Sequence, residues 1–243
     1  MWLKIIETKP CLPKHKVSIF LGQSAGGRLA SGSNGDIYLS VGDFYFDGVN
    51  EKNILRMNDS DYGKILLLPK GDLPKTVVAQ GLRNPEGLFY SNGMLFETEH
   101  GPQGGDELNL IKTNKINVDF GWPDASFGVN YGKTEWPFDQ KNINHSLQSH
   151  SLPMYSWIPS IGVSNLLVID KNSKISRWNG SLLIAALKDQ CLYRLVFDEK
   201  NRVYLVERIN IGFRIRDLIQ RGADFYLLED SLNPSIWKLS QKD

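Results

Sequence analysis

Long apolar runs, a cysteine framework and an excess of one charge sign are all missing from this 243-residue chain. No stretch approaches the roughly 18–20 consecutive apolar residues that span a bilayer as a helix, so nothing reads as a transmembrane segment. Lysine and arginine number 28 against 27 acids, for a formal net charge of +1. They are scattered, which leaves no basic stripe for nucleic acid or a membrane surface. The only cysteines, Cys11 and Cys191, fit no CxxC or metal-ligand spacing. Free thiols are expected, with a disulfide between them left open. Four histidines, His15, His100, His145 and His150, leave few side chains that exchange a proton near neutral pH. The opening Met1-Trp2-Leu3-Lys4-Ile5-Ile6-Glu7 lacks the apolar core and small-residue cleavage site of a signal peptide. No long stretch follows a 3.6-residue amphipathic period.

What is present is a series of short strands set off by tight turns. Ser33-Asn34-Gly35 leads into Asp36–Val41, and Ser91-Asn92-Gly93 into Met94–Thr98. Trp178-Asn179-Gly180 leads into Ser181–Ala186, and Arg221-Gly222-Ala223-Asp224 into Phe225–Leu228. Asn-Gly between β-rich runs is a strong hairpin signal. Arg28, Arg83 and Arg214 precede three of these turns, a loose repeat that suggests propeller blades. The chain is long enough to bury one substantial core.

The densest motif is Glu99-His100-Gly101-Pro102-Gln103-Gly104-Gly105-Asp106-Glu107-Leu108-Asn109. A strand runs into a corner whose glycines permit unusual backbone angles and whose Asp106 and Glu107 offer hard oxygen atoms. Calcium takes six to eight oxygens, many of them carbonyls, so such a corner can hold it. The plain alternative is a solvated turn with two surface acids. Arg214 and Arg216 lie two apart on a strand and share a face, and their guanidinium forks suit carboxylates. Asp217 is the obvious local partner for either.

Gly26-Gly27-Arg28-Leu29, Gly81–Leu88, the glycine corner, Phe120-Gly121-Trp122-Pro123, Gly128-Val129-Asn130-Tyr131, Trp157–Ile161, Ala186-Leu187-Lys188 and Arg214–Asp217 occur in that order. Together they resemble the soluble PQQ-dependent sugar dehydrogenases, the glucose/sorbosone and aldose sugar dehydrogenase family. The resemblance runs from about residue 20 to the C-terminus. It implies an all-β fold of the six-bladed β-propeller family, of which this chain supplies about four blades. Residues 1–243 then form one incomplete propeller domain, N-terminally truncated, with a loop-rich insertion over 103–155. Open blades expose sheet edges, so a truncated piece, or a subunit that closes as a homo-oligomer, is expected.

The resemblance further implies two cofactors, PQQ and calcium. PQQ is an ortho-quinone bearing three carboxylates. Arg83, Asn84, Tyr131, Ala186, Leu187, Lys188, Arg214, Ile215 and Arg216 fall on its contact positions. The carbonyls of Gly101 and Pro102 correspond to ligands of a calcium beside the quinone, and Glu107 with the carbonyl of Phe120 to a second calcium site. The family's base histidine corresponds to Ser24, or to Gln23 with one residue of slack; neither suits general-base work near neutral pH. His100 is expected to be a structural hydrogen bonder, and His145 and His150 to lie at the surface. Gln23, Tyr155 and Trp157 match the flanks of the sugar pocket, where aromatic faces suit sugars.

The implied activity is oxidation of the anomeric hydroxyl of an aldose to a lactone, with electrons passed to an external acceptor, in a periplasmic or secreted protein. The alternative is a non-catalytic propeller module that binds PQQ, calcium, sugar or a partner, because Ser24 stands in for the base. No nucleic-acid partner is expected.

Overall fold

Four β-sheets stand side by side around a common axis in the computed structural model, which describes residues 2–12, 22–46, 54–71, 73–128 and 150–240. The first sheet runs β1 (Gly26–Ser31), β2 (Ile37–Val41), β3 (Lys64–Leu68) and β4 (Thr76–Gln80), with β8 (Val118–Asp119) added in parallel at its outer edge. The second runs β5 (Pro85–Ser91), β6 (Met94–Glu99), β7 (Asp106–Lys112) and β9 (Tyr155–Trp157). The third holds β10 (Val163–Val168), β11 (Leu182–Ala186), β12 (Cys191–Phe197) and β13 (Val203–Asn210). The fourth holds β14 (Ile215–Arg221), β15 (Asp224–Glu229) and β16 (Ile236–Leu239). Each sheet is an antiparallel meander, so each is one propeller blade. Among the described residues the fold is an all-β, incomplete propeller of four blades.

Face-to-face blade packing explains the composition of the strands. On β11, Leu182, Ile184 and Ala186 join the core shared with the second blade. Leu183 and Ala185 point the other way, into the core shared with the fourth. Successive strand residues face opposite sides, so a strand sandwiched between blades must be apolar throughout. Between the first two blades Tyr38, Ile65, Leu88, Leu95, Ile111 and Phe120 pack together. The outward face of the last blade has no such cover among the described residues, and Ile219, Leu228 and Ile236 are exposed there.

The innermost strands β1, β5, β10 and β14 succeed one another around the axis. Polar contacts tie them at the centre. Arg28 on β1 pairs with Asp217 on β14 at 3.1 Å, and its Nε donates to the Glu86 carbonyl on β5 at 3.1 Å. Asn165 on β10 donates to the other carboxylate oxygen of Asp217. Asp217 is therefore committed to the axis, and not to Arg214 or Arg216 as its position in sequence suggested.

The stretch 103–155, read from sequence as a loop-rich insertion, includes β7, a nearly fully buried strand in the second blade, as well as β8 and β9. Its acids disguise it. Asp106 is buried because it accepts the Ser160 hydroxyl at 2.6 Å and the Gly162 and Val163 N–H groups at 2.7 and 3.2 Å. It thus clamps the third blade's entry. Cys191 is buried and Cys11 exposed, both as free thiols. No helix among the described residues is long and apolar enough to cross a membrane.

Candidate functional site

Ser24 sits where the chain turns into β1, in a left-handed conformation (φ 54°) that costs a non-glycine residue some strain. Backbone bonds hold it there: the Phe44 N–H donates to the Ser24 carbonyl, and the Gly42 N–H to the Ala25 carbonyl, both at 2.9 Å. A Cβ on Gly42 would overlap the Ser24 carbonyl, so glycine is required for this approach. The Ser24 hydroxyl donates to Asp43 Oδ1 at 2.6 Å, and the Trp122 indole N–H to Asp43 Oδ2 at 3.0 Å. Asp43 is fully buried.

Ser24 opens onto a cavity of about 550 Å³ bordered by Gln23, Arg83, Asn84, Glu86, His100, Gly101, Pro102, Leu187 and Arg216. That is within the size range of small-molecule sites. Arg83 NH1 donates to the carbonyls of His100 at 3.2 Å and Gly101 at 3.0 Å, and its guanidinium lies 5.5 Å from the Trp122 ring centre. Asn84 donates to Glu86 at 2.9 Å. Arg216 reaches Asp230 at 3.2 Å and Glu86 at 3.5 Å, while Arg214 pairs with Asp230 at 2.8 Å. The two arginines share a face, as their spacing predicts. Burial pushes Asp230 up, but the bonds and charges of Arg214 and Arg216 outweigh it and hold the carboxyl below its usual range.

Other sequence-derived positions lie elsewhere. Ala186 and Ile215 are buried in the interblade cores, so their side chains face away from this cavity. Lys188 is exposed beyond the end of β11 and does not border the cavity. Trp157 is core, packed edge-on against Tyr155 at 4.9 Å, and neither borders the cavity. Tyr131, His15 and His145 lie outside the described residues. His150 packs beside Gly121 with Nδ1 3.7 Å from Asp119, partly buried and not at the open surface expected for it. Burial lowers the His100 pKa, with the Asp106 charge pulling the other way.

Behind the corner, Glu99, Gly101, Glu107 and Phe120 border a second, small space of about 10 Å³, room for one water or small ion. Here β6 and β7 bring Glu97 opposite Asn109 and Glu99 opposite Glu107. Asn109 Nδ2 donates to Glu97, Glu99 and Glu107 at 3.0, 3.3 and 3.4 Å. All four residues are buried, and Glu97 Oε1 and Asn109 Oδ1 have no hydrogen-bond partner among the described residues. No set of three His, Cys, Asp or Glu side chains among the described residues is arranged to hold a metal ion by itself. A cation at this corner needs carbonyl oxygens as well, which suits calcium.

Burial pushes Glu97 and Glu99 well above the usual carboxylate range; at Glu99 the charges of Glu97 and Glu107 add to it. The folded chain thus binds protons more tightly here than the unfolded chain. The associated stability is full below the unfolded value, near pH 4, and is lost as pH rises through the raised folded values. Glu97→Gln should therefore stabilise the chelator-treated protein at pH 8 by about 1–3 kcal/mol and change little at pH 4. Thermal denaturation at both pH values checks this; an equal effect at both would contradict it.

Sequence reasoning missed Asp43, Glu86, Glu97 and Asp230. Of these only Asp230 left a signal. The β14–β15 hairpin pairs Ile215 with Glu229, which sets Arg214 against Asp230, but a bulge between Ile215 and Asp217 shifts that register by one.

An incomplete β-propeller with an arginine-lined cavity beside a carbonyl-rich corner is the class of protein the fold and site define. The chain belongs to the glucose/sorbosone dehydrogenase family, whose description, Glucose / Sorbosone dehydrogenase, matches residues 12–238. It is 28% identical over 244 residues to the aldose sugar dehydrogenase YliI of Escherichia coli (strain K12), covering 91% of this chain and 61% of that protein. It is 33% identical over 129 residues to quinoprotein glucose dehydrogenase B of Acinetobacter calcoaceticus, covering 41% of this chain and 26% of that one. A glucose dehydrogenase crystal structure superposes with a TM-score of 0.79 at 28% identity, covering 93% of this chain and 67% of that one. The chain thus spans less than two thirds of the length of either named relative.

Proposed function

We propose that this chain is a PQQ- and calcium-dependent oxidoreductase that oxidises the anomeric hydroxyl of an aldose and passes the electrons to an external acceptor. The observation that carries this reading is the cavity of about 550 Å³ in which Arg83, Asn84 and Arg216 meet Ser24 and the Gly101–Pro102 corner. Two guanidinium groups and an amide bordering one cavity suit a flat polyanion. Membership of the family, and a quinoprotein among the relatives, support PQQ as that polyanion.

When bound, the ortho-quinone supplies the hydride acceptor. In this reading Arg83 and Arg216 hold its carboxylates, with Arg214 lending charge through the shared Asp230, and Leu187 packs against its face. The carbonyls of Gly101 and Pro102 would hold one calcium, whose chemistry there would be Lewis-acid polarisation. Glu107 and the carbonyl of Phe120 hold a second, next to the orphaned oxygens of Glu97 and Asn109. Gln23 and Ser24, on the same cavity, would face the sugar. The bare outer face of the last blade is the surface that a second copy would cover.

A second reading, a module that binds PQQ without turnover, is favoured by one observation: serine stands where a base is needed. Reconstitution with PQQ and calcium, followed by aldose-dependent dye reduction, separates the two. Turnover that chelation abolishes is the expected result. PQQ binding without turnover supports the module, and a folded chain that binds no PQQ overturns both.

A further inference from the structure

We propose that Ser24 and Asp43 form a proton relay, in which the substrate hydroxyl gives its proton to Ser24 Oγ while Ser24 gives its own to Asp43 Oδ1. This rests on the oxidoreductase reading above. A serine hydroxyl alone neither takes nor keeps a proton near neutral pH, but one already donating to a carboxylate takes a proton as it releases another. The geometry is in place: 2.6 Å between Ser24 Oγ and Asp43 Oδ1, with Ser24 at the cavity wall and Asp43 behind it, out of solvent.

Asp43 is held so that one carboxylate oxygen faces Ser24. The Trp122 indole anchors Oδ2 at 3.0 Å, the Tyr45 N–H donates to Oδ1 at 2.9 Å, and the Asp43 N–H donates to the Arg83 carbonyl at 2.8 Å. The Ser24 φ of 54° is consistent with a residue held for function. Among the described residues, the charged and titratable groups that share this cavity with Ser24 include Arg83, Glu86, His100, Arg216 and Tyr45, and the Arg83 guanidinium lies 5.5 Å from the ring centre of Trp122, which holds Asp43.

The step balances. The anomeric C–H bond breaks and its electron pair leaves with hydrogen as hydride to the ortho-quinone. The sugar O–H bond breaks, its proton passes to Ser24 Oγ, and the Ser24 proton passes to Asp43. A C=O bond forms, the sugar is oxidised by two electrons and the quinone is reduced by two. Asp43 afterwards returns its proton to solvent through Ser24. Ser24 touches the substrate and is the catalytic residue; Asp43 acts through it and is the positioning residue.

Three variants test this: Ser24→Ala, Asp43→Asn and Ser24→His, each titrated with PQQ in the presence of calcium and then assayed across pH. The relay predicts that Ser24→Ala and Asp43→Asn bind PQQ within about threefold of the parent yet lose about 10²–10⁴-fold in kcat, with KM little changed. It predicts that Ser24→His recovers activity with its acid limb moved up toward an imidazole value, about 6.5. In the cofactor-free protein, the part of the emission lost on Trp122→Phe should follow a carboxylate titration that Asp43→Asn abolishes. Turnover within threefold of the parent in either Ser24→Ala or Asp43→Asn overturns the relay, as does an emission titration indifferent to Asp43→Asn. If Asp43→Asn does not fold, Ser24→Ala decides alone. A parent chain that binds PQQ without turnover overturns the relay and leaves the cofactor reading standing; one that does not bind PQQ overturns both.

Discussion

Arg83→Ala is expected to weaken PQQ binding by at least about 100-fold, close to 3 kcal/mol, as for other charge-assisted contacts in partly buried sites. The size follows from the number of roles one side chain plays. Arg83 borders both the large cavity and the small space behind the corner. Its guanidinium donates to the His100 and Gly101 carbonyls and lies over the Trp122 ring. Its backbone N–H donates to Glu99 Oε2. Alanine removes a cation from the proposed polyanion wall, frees two carbonyls and uncovers an indole whose N–H holds Asp43. Arg83→Lys should recover little, because a point charge does not reproduce the fork. Tryptophan-quenching titration with PQQ measures the effect; a dissociation constant within threefold of the parent would show that the cavity wall is not the cofactor's anchor.

Gly101→Ala should be severely damaging for folding, at roughly 3 kcal/mol or more. A Cβ at this position would overlap the carbonyl oxygens of Gly104 and Gly105, which are backbone atoms with no rotamer to escape into. Gly104 and Gly105 themselves hold left-handed angles of 91° and 68°, so they have little room to move aside. The corner also carries Pro102, whose ring lies against Gly128, and the Gly105 N–H, which donates to the Trp157 carbonyl at 2.9 Å. Opening it would unseat both the corner carbonyls and the contact between β7 and β9. Denaturant titration should give a large fall in midpoint together with loss of any calcium-dependent stabilisation. An unfolding free energy within about 0.5 kcal/mol of the parent's would mean that the corner is not rigid.

Much of the fold was legible because turn chemistry is local. Asn34-Gly35, Asn92-Gly93 and Gly222 each close the hairpin that follows the innermost strand of a blade. Asn179-Gly180 does the same with a short 3-10 turn, Ser176–Trp178, placed before it. Strand β7 was not legible, since Asp106, Glu107 and Asn109 are polar residues in a buried strand, and only long-range partners reveal why. Ser160, Gly162 and Val163 explain Asp106 from more than fifty residues away.

The same division runs through the site. Arg83, Asn84, Gly101, Pro102, Leu187 and Arg216 meet at one cavity because they sit in motifs at strand ends, which a propeller gathers around its axis. Their acidic counterparts were hidden. Glu86 meets Arg216 across the gap between the second and fourth blades, and Asp43 meets Trp122 from 79 positions away. Ala186 and Ile215 stand beside cavity residues in sequence, but strand alternation turns their side chains into the interblade cores.

Isothermal titration of the purified chain with PQQ, with and without calcium, asks whether these four blades hold the cofactor. One saturable site per chain is expected, with affinity that falls sharply when calcium is chelated and when Arg83 is replaced. A folded chain that takes up no PQQ at any calcium concentration would contradict this expectation.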